Sequence, residues 1–235
     1  MKIILLYIIF VESSLELIPK SFETDPFILK YAKKVRKNPN NLILDISNHN
    51  KIIRRLKNHE KRGRPDIIHQ CLLYALNTPL NRIGQLLIYI HTINDQIIKV
   101  NPELRIARNY NRFIGIMEQL FRYGKVPPRG APLLEIEQIS LGSLISQIKA
   151  NEVLILTENG TPTLINDLFK DTNIKKSYII LIGAFAKGYL RKNILNLSTK
   201  RIKIFPEPLD SLIVLSKIIN GYENAIKLYE NKLNL

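Results

Sequence analysis

The run MKIILLYIIFV, residues 1–11, is apolar and rich in β-branched side chains. It predicts a fully buried first strand of a parallel sheet. The run is too short to cross a bilayer, and Glu12 and Glu16 follow it where a signal peptide would carry a small-x-small cleavage site. We therefore expect neither a membrane span nor a secretory leader. With a single cysteine, Cys71, the chain has no disulfide framework, and the cytoplasm is the expected compartment.

Downstream of this run, helical and strand patterns alternate, which predicts an α/β fold. Strands are expected at 41–47, 86–92, 96–100, 153–156, 178–182 and 202–205, and helices at 25–38, 49–56, from Pro65 onward, 104–123, 142–150, 163–170 and 209–233. Asn94-Asp95 favours a hairpin between two of the strands. We interpret the proline-rich stretch 127–132 as a loop within one domain that covers residues 1–235.

Basic residues are concentrated in the middle of the chain. The 235 residues carry a net charge of +15, and residues 51–130 alone contain 15 basic and 5 acidic side chains, a difference of +10. Such a localised excess favours a basic surface for a polyanionic partner. A generally lysine-rich composition is the alternative explanation.

Several common chemistries lack their motifs. No G-x-G-x-x-G follows the first strand, and Gly183 to Gly188 has P-loop spacing without the Lys-Ser or Lys-Thr that must follow the second glycine. The four histidines and Cys71 show no metal-ligand spacing, and no G-x-S-x-G elbow is present. We expect no metal site, and we interpret His69 and Cys71 as packed residues of a helix.

Two arginine patterns suggest phosphate binding. If 104–123 is one helix, Arg105, Arg108 and Arg112 project from a single face, where their planar guanidinium groups suit phosphates along a nucleic-acid backbone. A solvated charge face is the alternative. In Arg64-Pro65-Asp66, the carboxylate can orient the guanidinium from the start of a helix, or Asp66 is simply a helix-terminus residue.

The motifs HEKRGRPDIIHQCLL (59–73), RIARNYNRF (105–113) and IGAFAKG (182–188) resemble those of the ribosomal RNA pseudouridine N1-methyltransferases of the SPOUT superfamily. The resemblance covers essentially the whole chain. It implies an α/β SPOUT fold, in which a mostly parallel sheet is flanked by helices and the C-terminal segment forms a trefoil knot. It also implies a homodimer, with the apolar residues 212–215 of the closing helices at the interface.

In this family S-adenosyl-L-methionine is held in the knot by backbone groups of three loops. Carried over to this chain, the cofactor-binding residues are Leu156, Thr157, Gly183, Gly188, Ile204, Phe205, Pro206, Glu207, Pro208 and Leu209. The third loop departs from the family pattern, because acidic residues, Glu207 and Asp210, bracket Pro208-Leu209.

The resemblance further implies that Arg64, Arg105, Arg108 and Arg112 bind a small-subunit rRNA hairpin within the basic segment at about 51–130. Asp66 is the candidate catalytic residue, either as a base or, as we favour, by orienting Arg64. The implied reaction is methylation of N1 of a pseudouridine during ribosome biogenesis. The alternative is a non-catalytic rRNA-binding assembly factor on the same scaffold, which the acidic third loop would suit.

Overall fold

The computed structural model describes residues 5–170 and 176–234, and within them an eight-stranded sheet is flanked by helices. The strands are β1 (Leu6–Ser13), β2 (Leu86–Thr92), β3 (Ile97–Val100), β4 (Lys125–Val126), β5 (Leu134–Glu137), β6 (Glu152–Pro162), β7 (Tyr178–Gly183) and β8 (Lys200–Lys203). The helices are α1 (Pro26–Val35), α2 (Ile46–Ile53), α3 (Pro65–Ala75), α4 (Pro79–Arg82), α5 (Tyr110–Tyr123), α6 (Leu141–Ile148), α7 (Ile165–Leu168), α8 (Lys192–Leu195), α9 (Ser211–Ala225) and α10 (Leu228–Leu233).

The strand β1 lies in the middle of the sheet, whose order is β4-β5-β3-β2-β1-β7-β6-β8. It pairs in parallel with β2 on one side and with β7 on the other. Its side chains are buried on both faces, as the apolar run predicts, and this confirms the parallel strand. The first four residues of the run lie outside the described residues.

The predicted hairpin is confirmed, since β2 and β3 pair antiparallel with His91 opposite Ile97. The strands β4 and β5 were not expected from the sequence. Because β5 pairs with β3 and also with β4, the proline-rich stretch 127–132 is a connection inside one sheet.

The two faces of the sheet are covered by different helices. Alternate residues of β1 point to opposite sides, so Ile8 packs with residues of α3, α5 and α9, whereas Ile9 packs with residues of α6 and α8. A third hydrophobic cluster joins α1 to α2. The core is therefore built from two layers of helices around a mostly parallel sheet.

The strand expected at 41–47 is wrong. Ile43 forms only an isolated bridge with Leu17, and Asp45 instead caps α2 by accepting a hydrogen bond from the Ser47 N–H at 2.8 Å. This cap starts the basic helix at Ile46, three residues before the position expected from the sequence.

The helix expected at 104–123 begins only at Tyr110. The Asn109 side chain accepts a hydrogen bond from the Arg112 N–H at 3.1 Å and caps the helix there, and Gly124 ends it in the left-handed conformation, as predicted. Arg105 and Arg108 therefore precede the helix, and the expectation that they share one helix face with Arg112 is wrong.

Other boundaries differ by a few residues. Asp25 caps α1 and Pro65 opens α3 as expected, whereas β6 continues to Pro162 and α7 is reduced to four residues. The extension of β6 pairs with β8 after a register shift that follows Leu156. The trefoil knot stays a prediction. Within 5–170 and 176–234, no helix combines the length and apolar character that crossing a membrane requires.

Candidate active site

A cavity of about 400 Å³ lies where β7 and β8 end and where β6 separates from β7. In parallel α/β sheets, ligands bind at the carboxyl ends of the strands, and this volume is within the usual range for small-molecule sites. Its lining includes nine of the ten residues predicted to bind the cofactor, namely Leu156, Thr157, Gly183, Gly188, Ile204, Phe205, Glu207, Pro208 and Leu209. Pro206 is not part of the lining.

The loop after β8 offers unpaired backbone groups to this cavity. The N–H groups of Phe205, Glu207 and Leu209 have no acceptor among the described residues, so they are free to bind a ligand. Ser211 ties this region to the end of β7, because its hydroxyl donates to the Gly183 carbonyl at 2.6 Å. A cavity that is lined by both apolar and polar side chains and that also has free N–H groups in its lining residues fits an adenosine-type cofactor that is held through the backbone.

The predicted pair of Arg64 and Asp66 is present at the start of α3. Arg64 Nε and Nη2 donate to the two carboxylate oxygens of Asp66 at 2.8 and 2.7 Å. These hydrogen bonds raise the pKa of the Arg64 guanidinium, and Asp210 and Tyr110 add smaller contributions of the same sign. Asp210 is the residue directly before α9.

A second cavity, of about 510 Å³, adjoins the first. The two share Ala186 and Lys187 in their linings, so the second cavity opens next to the loop 183–191 that follows β7. Three further arginines, Arg54, Arg62 and Arg64, line it together with His59 and Glu60, and of these arginines Arg62 is paired with the buried Glu16. We call this second cavity the basic cleft. Such a cleft suits a polyanion that must reach the first cavity.

The segment before α5 is fastened to α3, which carries Asp66. His69 Nε2 lies 2.7 Å from the Ala107 carbonyl oxygen, and its ring stacks on Phe113 with centroids 4.5 Å apart. The structure thus brings the chain that carries Arg105 and Arg108 alongside the helix of the Arg64–Asp66 pair.

The three arginines of this segment, Arg105, Arg108 and Arg112, are exposed. None of them forms an ion pair with an acidic residue in the parts of the chain that the structure describes. Their guanidinium groups are therefore available to an external anion, in contrast to Arg64, which is already paired.

Two residues to which the sequence analysis assigned no role in the site, Tyr110 and Asp45, also position this segment. The Tyr110 hydroxyl donates to Asp45 Oδ2 at 2.5 Å, and burial, together with this contact, raises the pKa of Tyr110. The hydrogen bond joins the first residue of α5 to the cap of α2. The motif R-x-x-R-N-Y contains Tyr110, but no local signal identifies Asp45 as its partner.

The expected packing of Cys71 is confirmed, since its side chain is completely buried and burial raises the pKa of the thiol to about 12. His69 is also largely buried, as expected, although it makes the polar contact described above. Among the described residues, no group of three His, Cys, Asp or Glu side chains is arranged to hold a metal ion.

Comparison with known proteins identifies the family. Residues 8–223 match the model of the EMG1/NEP1 methyltransferase family. The protein named ribosomal RNA small subunit methyltransferase Nep1 from Staphylothermus marinus is 42% identical to this chain, and the alignment covers 94% of this chain and 96% of that protein. The protein of the same name from Thermococcus onnurineus is 40% identical, and the alignment covers 94% of this chain and 100% of that protein. The crystal structure of Archaeoglobus fulgidus Nep1 bound to S-adenosylhomocysteine superposes with a TM-score of 0.84 at 34% identity, covering 94% of this chain and 98% of that one. The chain belongs to the EMG1/NEP1 methyltransferase family.

Proposed function

We propose that this protein is an S-adenosylmethionine-dependent methyltransferase that methylates N1 of a pseudouridine in a small-subunit rRNA hairpin. The observation that carries the proposal is the adjacency of the two cavities. A ligand-sized cavity edged by free backbone N–H groups shares Ala186 and Lys187 with the basic cleft. A methyl donor and a polyanionic acceptor can therefore meet at one place.

The cofactor assignment is supported by the Archaeoglobus fulgidus relative, which is described as bound to S-adenosylhomocysteine. S-adenosylmethionine supplies a sulfonium methyl group that a nitrogen nucleophile can accept. In this chain, the loops after β7 and β8 would hold the cofactor through their main chain, and the apolar side chains of Leu156 and Ile182 would exclude water from it.

The RNA assignment is supported by the names of the relatives, which act on small-subunit rRNA, and by the unpaired arginines described above. Pseudouridine presents an N1–H that uridine lacks, because its glycosidic bond is made to carbon. A base that is methylated at this edge has to leave its stack, and Arg105, Arg108 and Arg112 would hold the phosphates that flank it.

Asp66 is proposed to orient Arg64 within the substrate site. Both of its carboxylate oxygens accept hydrogen bonds from the guanidinium, which holds Arg64 in one orientation at the edge of the basic cleft. Because both oxygens are engaged in holding the guanidinium, we propose that the contribution of Asp66 is positional.

We also propose that the protein is a homodimer. Of the apolar stretch 212–215, Leu215 is in the core, but Ile213 remains 43% exposed, and Phe205 in the loop before α9 is 50% exposed. Large apolar side chains in this position favour a protein interface. Light scattering of the purified protein should give twice the monomer mass, and the substitution Ile213→Glu should shift it toward the monomer.

A non-catalytic rRNA-binding assembly factor is the second candidate. It is favoured by Glu207, an acidic residue in the lining of the cofactor cavity. The two candidates separate when the protein is incubated with methyl-labelled cofactor and paired hairpins that differ only in pseudouridine or uridine. Label that appears only in the pseudouridine hairpin supports the methyltransferase. Tight hairpin binding without label in either RNA leaves the assembly factor.

A further inference from the structure

Lys61 is a buried cation that lies between the RNA-binding and cofactor-binding parts of the chain. It ends the single helical turn His59–Lys61, directly before Arg62 and Arg64 of the basic cleft, and the residue is only 7% exposed. A lysine is rarely buried unless its charge is compensated. Its partners therefore indicate what it does.

Three partners of Lys61 belong to the cofactor loop, residues 183–191. The ammonium group donates to the Tyr189 carbonyl and lies 4.4 Å from the centroid of the Phe185 ring. Gly188, at φ 107°, lies so close that a Cβ there would be 3.1 Å from Lys61 Cε. Phe185, Gly188 and Tyr189 all line the cofactor cavity, whereas Lys61 itself does not.

The fourth partner is Glu12, which is 1% exposed at the end of β1 with φ 52°. Its carboxylate accepts from Lys61 Nζ at 3.0 Å, from the Arg191 N–H at 3.2 Å and from Arg191 Nε. Glu12 thus holds Lys61 and the far end of the cofactor loop together. Because Arg191 also pairs with Glu12, neutralising Lys61 does not leave that buried carboxylate without a counter-charge.

We propose that Lys61 is a positioning residue that couples cofactor binding to RNA binding, an inference that rests on the proposed function. Its backbone continues into Arg62 and Arg64, and its ammonium holds the cofactor loop through the Phe185 ring and the Tyr189 carbonyl. When the cofactor binds this loop, it restrains Lys61 and the backbone after it, which carries the Arg62–Glu16 and Arg64–Asp66 pairs. Binding of either ligand therefore reduces the conformational entropy that the protein still has to lose when the other ligand binds.

Thermodynamic linkage makes this coupling measurable. If bound S-adenosylhomocysteine tightens RNA binding by some factor, RNA must tighten S-adenosylhomocysteine binding by the same factor. A lysine that only stabilises the fold would change the melting temperature and leave this factor unchanged.

The experiment measures the Kd of the most strongly methylated pseudouridine hairpin with and without saturating S-adenosylhomocysteine, and the Kd of S-adenosylhomocysteine by calorimetry. The variants are Lys61→Met, which keeps the length of the side chain without its charge, Lys61→Arg, which keeps the charge, and the matched control Lys57→Met, at an exposed lysine four residues earlier.

In the wild-type protein and in Lys57→Met, we expect S-adenosylhomocysteine to tighten hairpin binding about fivefold or more. In Lys61→Met we expect S-adenosylhomocysteine binding to weaken about fivefold, the factor for one partly buried cation–π contact, and the coupling factor to fall to about 1. Lys61→Arg, which keeps the charge, should restore part of the S-adenosylhomocysteine affinity and part of the coupling factor.

An unchanged coupling factor in Lys61→Met, or a wild-type factor of 1, would overturn the inference. Those outcomes are distinct from failure of the proposed function, which would appear as a wild-type protein that binds no S-adenosylhomocysteine or transfers no methyl group to pseudouridine.

Discussion

His69 Nε2 and the Ala107 carbonyl oxygen lie 2.7 Å apart, and this contact joins two segments that are 38 residues apart in sequence. A carbonyl oxygen only accepts, so the imidazole carries its proton on Nε2 and donates. His69 lies three residues after Asp66 on α3, and therefore on the same face of that helix. One helix thus supports Arg64 through Asp66 and places the Arg105–Arg108 segment through His69.

Removing the His69 hydrogen bond should weaken RNA binding. His69→Phe keeps an aromatic ring to stack on Phe113 but leaves the Ala107 carbonyl without its donor, which costs about 1–2 kcal/mol of the free energy of unfolding. We expect the hairpin Kd to rise about fivefold as the arginine segment loosens, with an unchanged Kd for S-adenosylhomocysteine. His69→Gln, which can still donate, should restore most of the affinity. Equal RNA affinity in the wild type and His69→Phe would show that this contact does not place the arginines.

Single substitutions of the exposed arginines should change the salt dependence of RNA binding. Each phosphate contact that is lost lowers the slope of log K against log salt by about 0.7 to 0.9. Arg108→Ala and Arg112→Ala should therefore bind a hairpin more weakly and with a flatter slope, while calorimetry gives an unchanged affinity for S-adenosylhomocysteine. Arg122→Ala, on the last turn of α5, is the matched control. If the two variants also lost affinity for S-adenosylhomocysteine, the assignment of these arginines to RNA binding alone would be wrong.

Asp66→Asn should separate an orienting role from a basic one. The amide oxygen can accept only one of the two hydrogen bonds that Arg64 now donates, so the guanidinium loses its fixed orientation. We expect KM for the hairpin to rise about tenfold with a smaller change in kcat, and the pH dependence of kcat to keep its shape. If Asp66 were the base, kcat would fall by about 100-fold or more and the acidic limb of its pH profile would disappear.

The fold could be predicted wherever a local signal dominates. The apolar β-branched run specifies β1, Asp25-Pro26 and Pro65 mark helix starts, and Gly124 marks a helix end, because each of these acts through its own backbone conformation. The start of α5 was mispredicted for a non-local reason. Residues 104–109 have the composition of a helix, but the contact of Ala107 with His69 holds them in another conformation.

The candidate site divides in the same way. Sequence motifs identify the cofactor-binding loops and the RNA-binding arginines, because the roles of matching family residues can be carried over to this chain one position at a time. The partners that place them come from distant segments, as with Glu12, which is 49 residues from Lys61 and 179 from Arg191. No periodicity or spacing predicts such contacts, because the topology of the sheet brings these segments together only after folding.

His49 should make the protein less stable in mild acid. Its ring is 1% exposed, Nδ1 accepts from the Asp45 N–H at 3.1 Å, and Nε2 has no partner among the described residues. Burial lowers the pKa of His49 to about 4, and the Asp45 carboxylate opposes this only in part.

The unfolded chain takes up this proton near pH 6.5, whereas the folded protein does so only near pH 4, so the unfolded state binds more protons between these values. The contribution of neutral His49 to the free energy of unfolding is therefore complete above about pH 6.5 and is lost as the pH falls toward 4. We expect a loss of roughly 2 kcal/mol in the free energy of unfolding over this window, measured by urea denaturation. His49→Asn, whose Oδ1 can replace Nδ1 as acceptor, should flatten the pH dependence, whereas His91, whose pKa burial also lowers, contributes equally to both proteins. Parallel stability curves for the wild type and His49→Asn would contradict this assignment, because they would mean that the buried imidazole does not titrate between the two states.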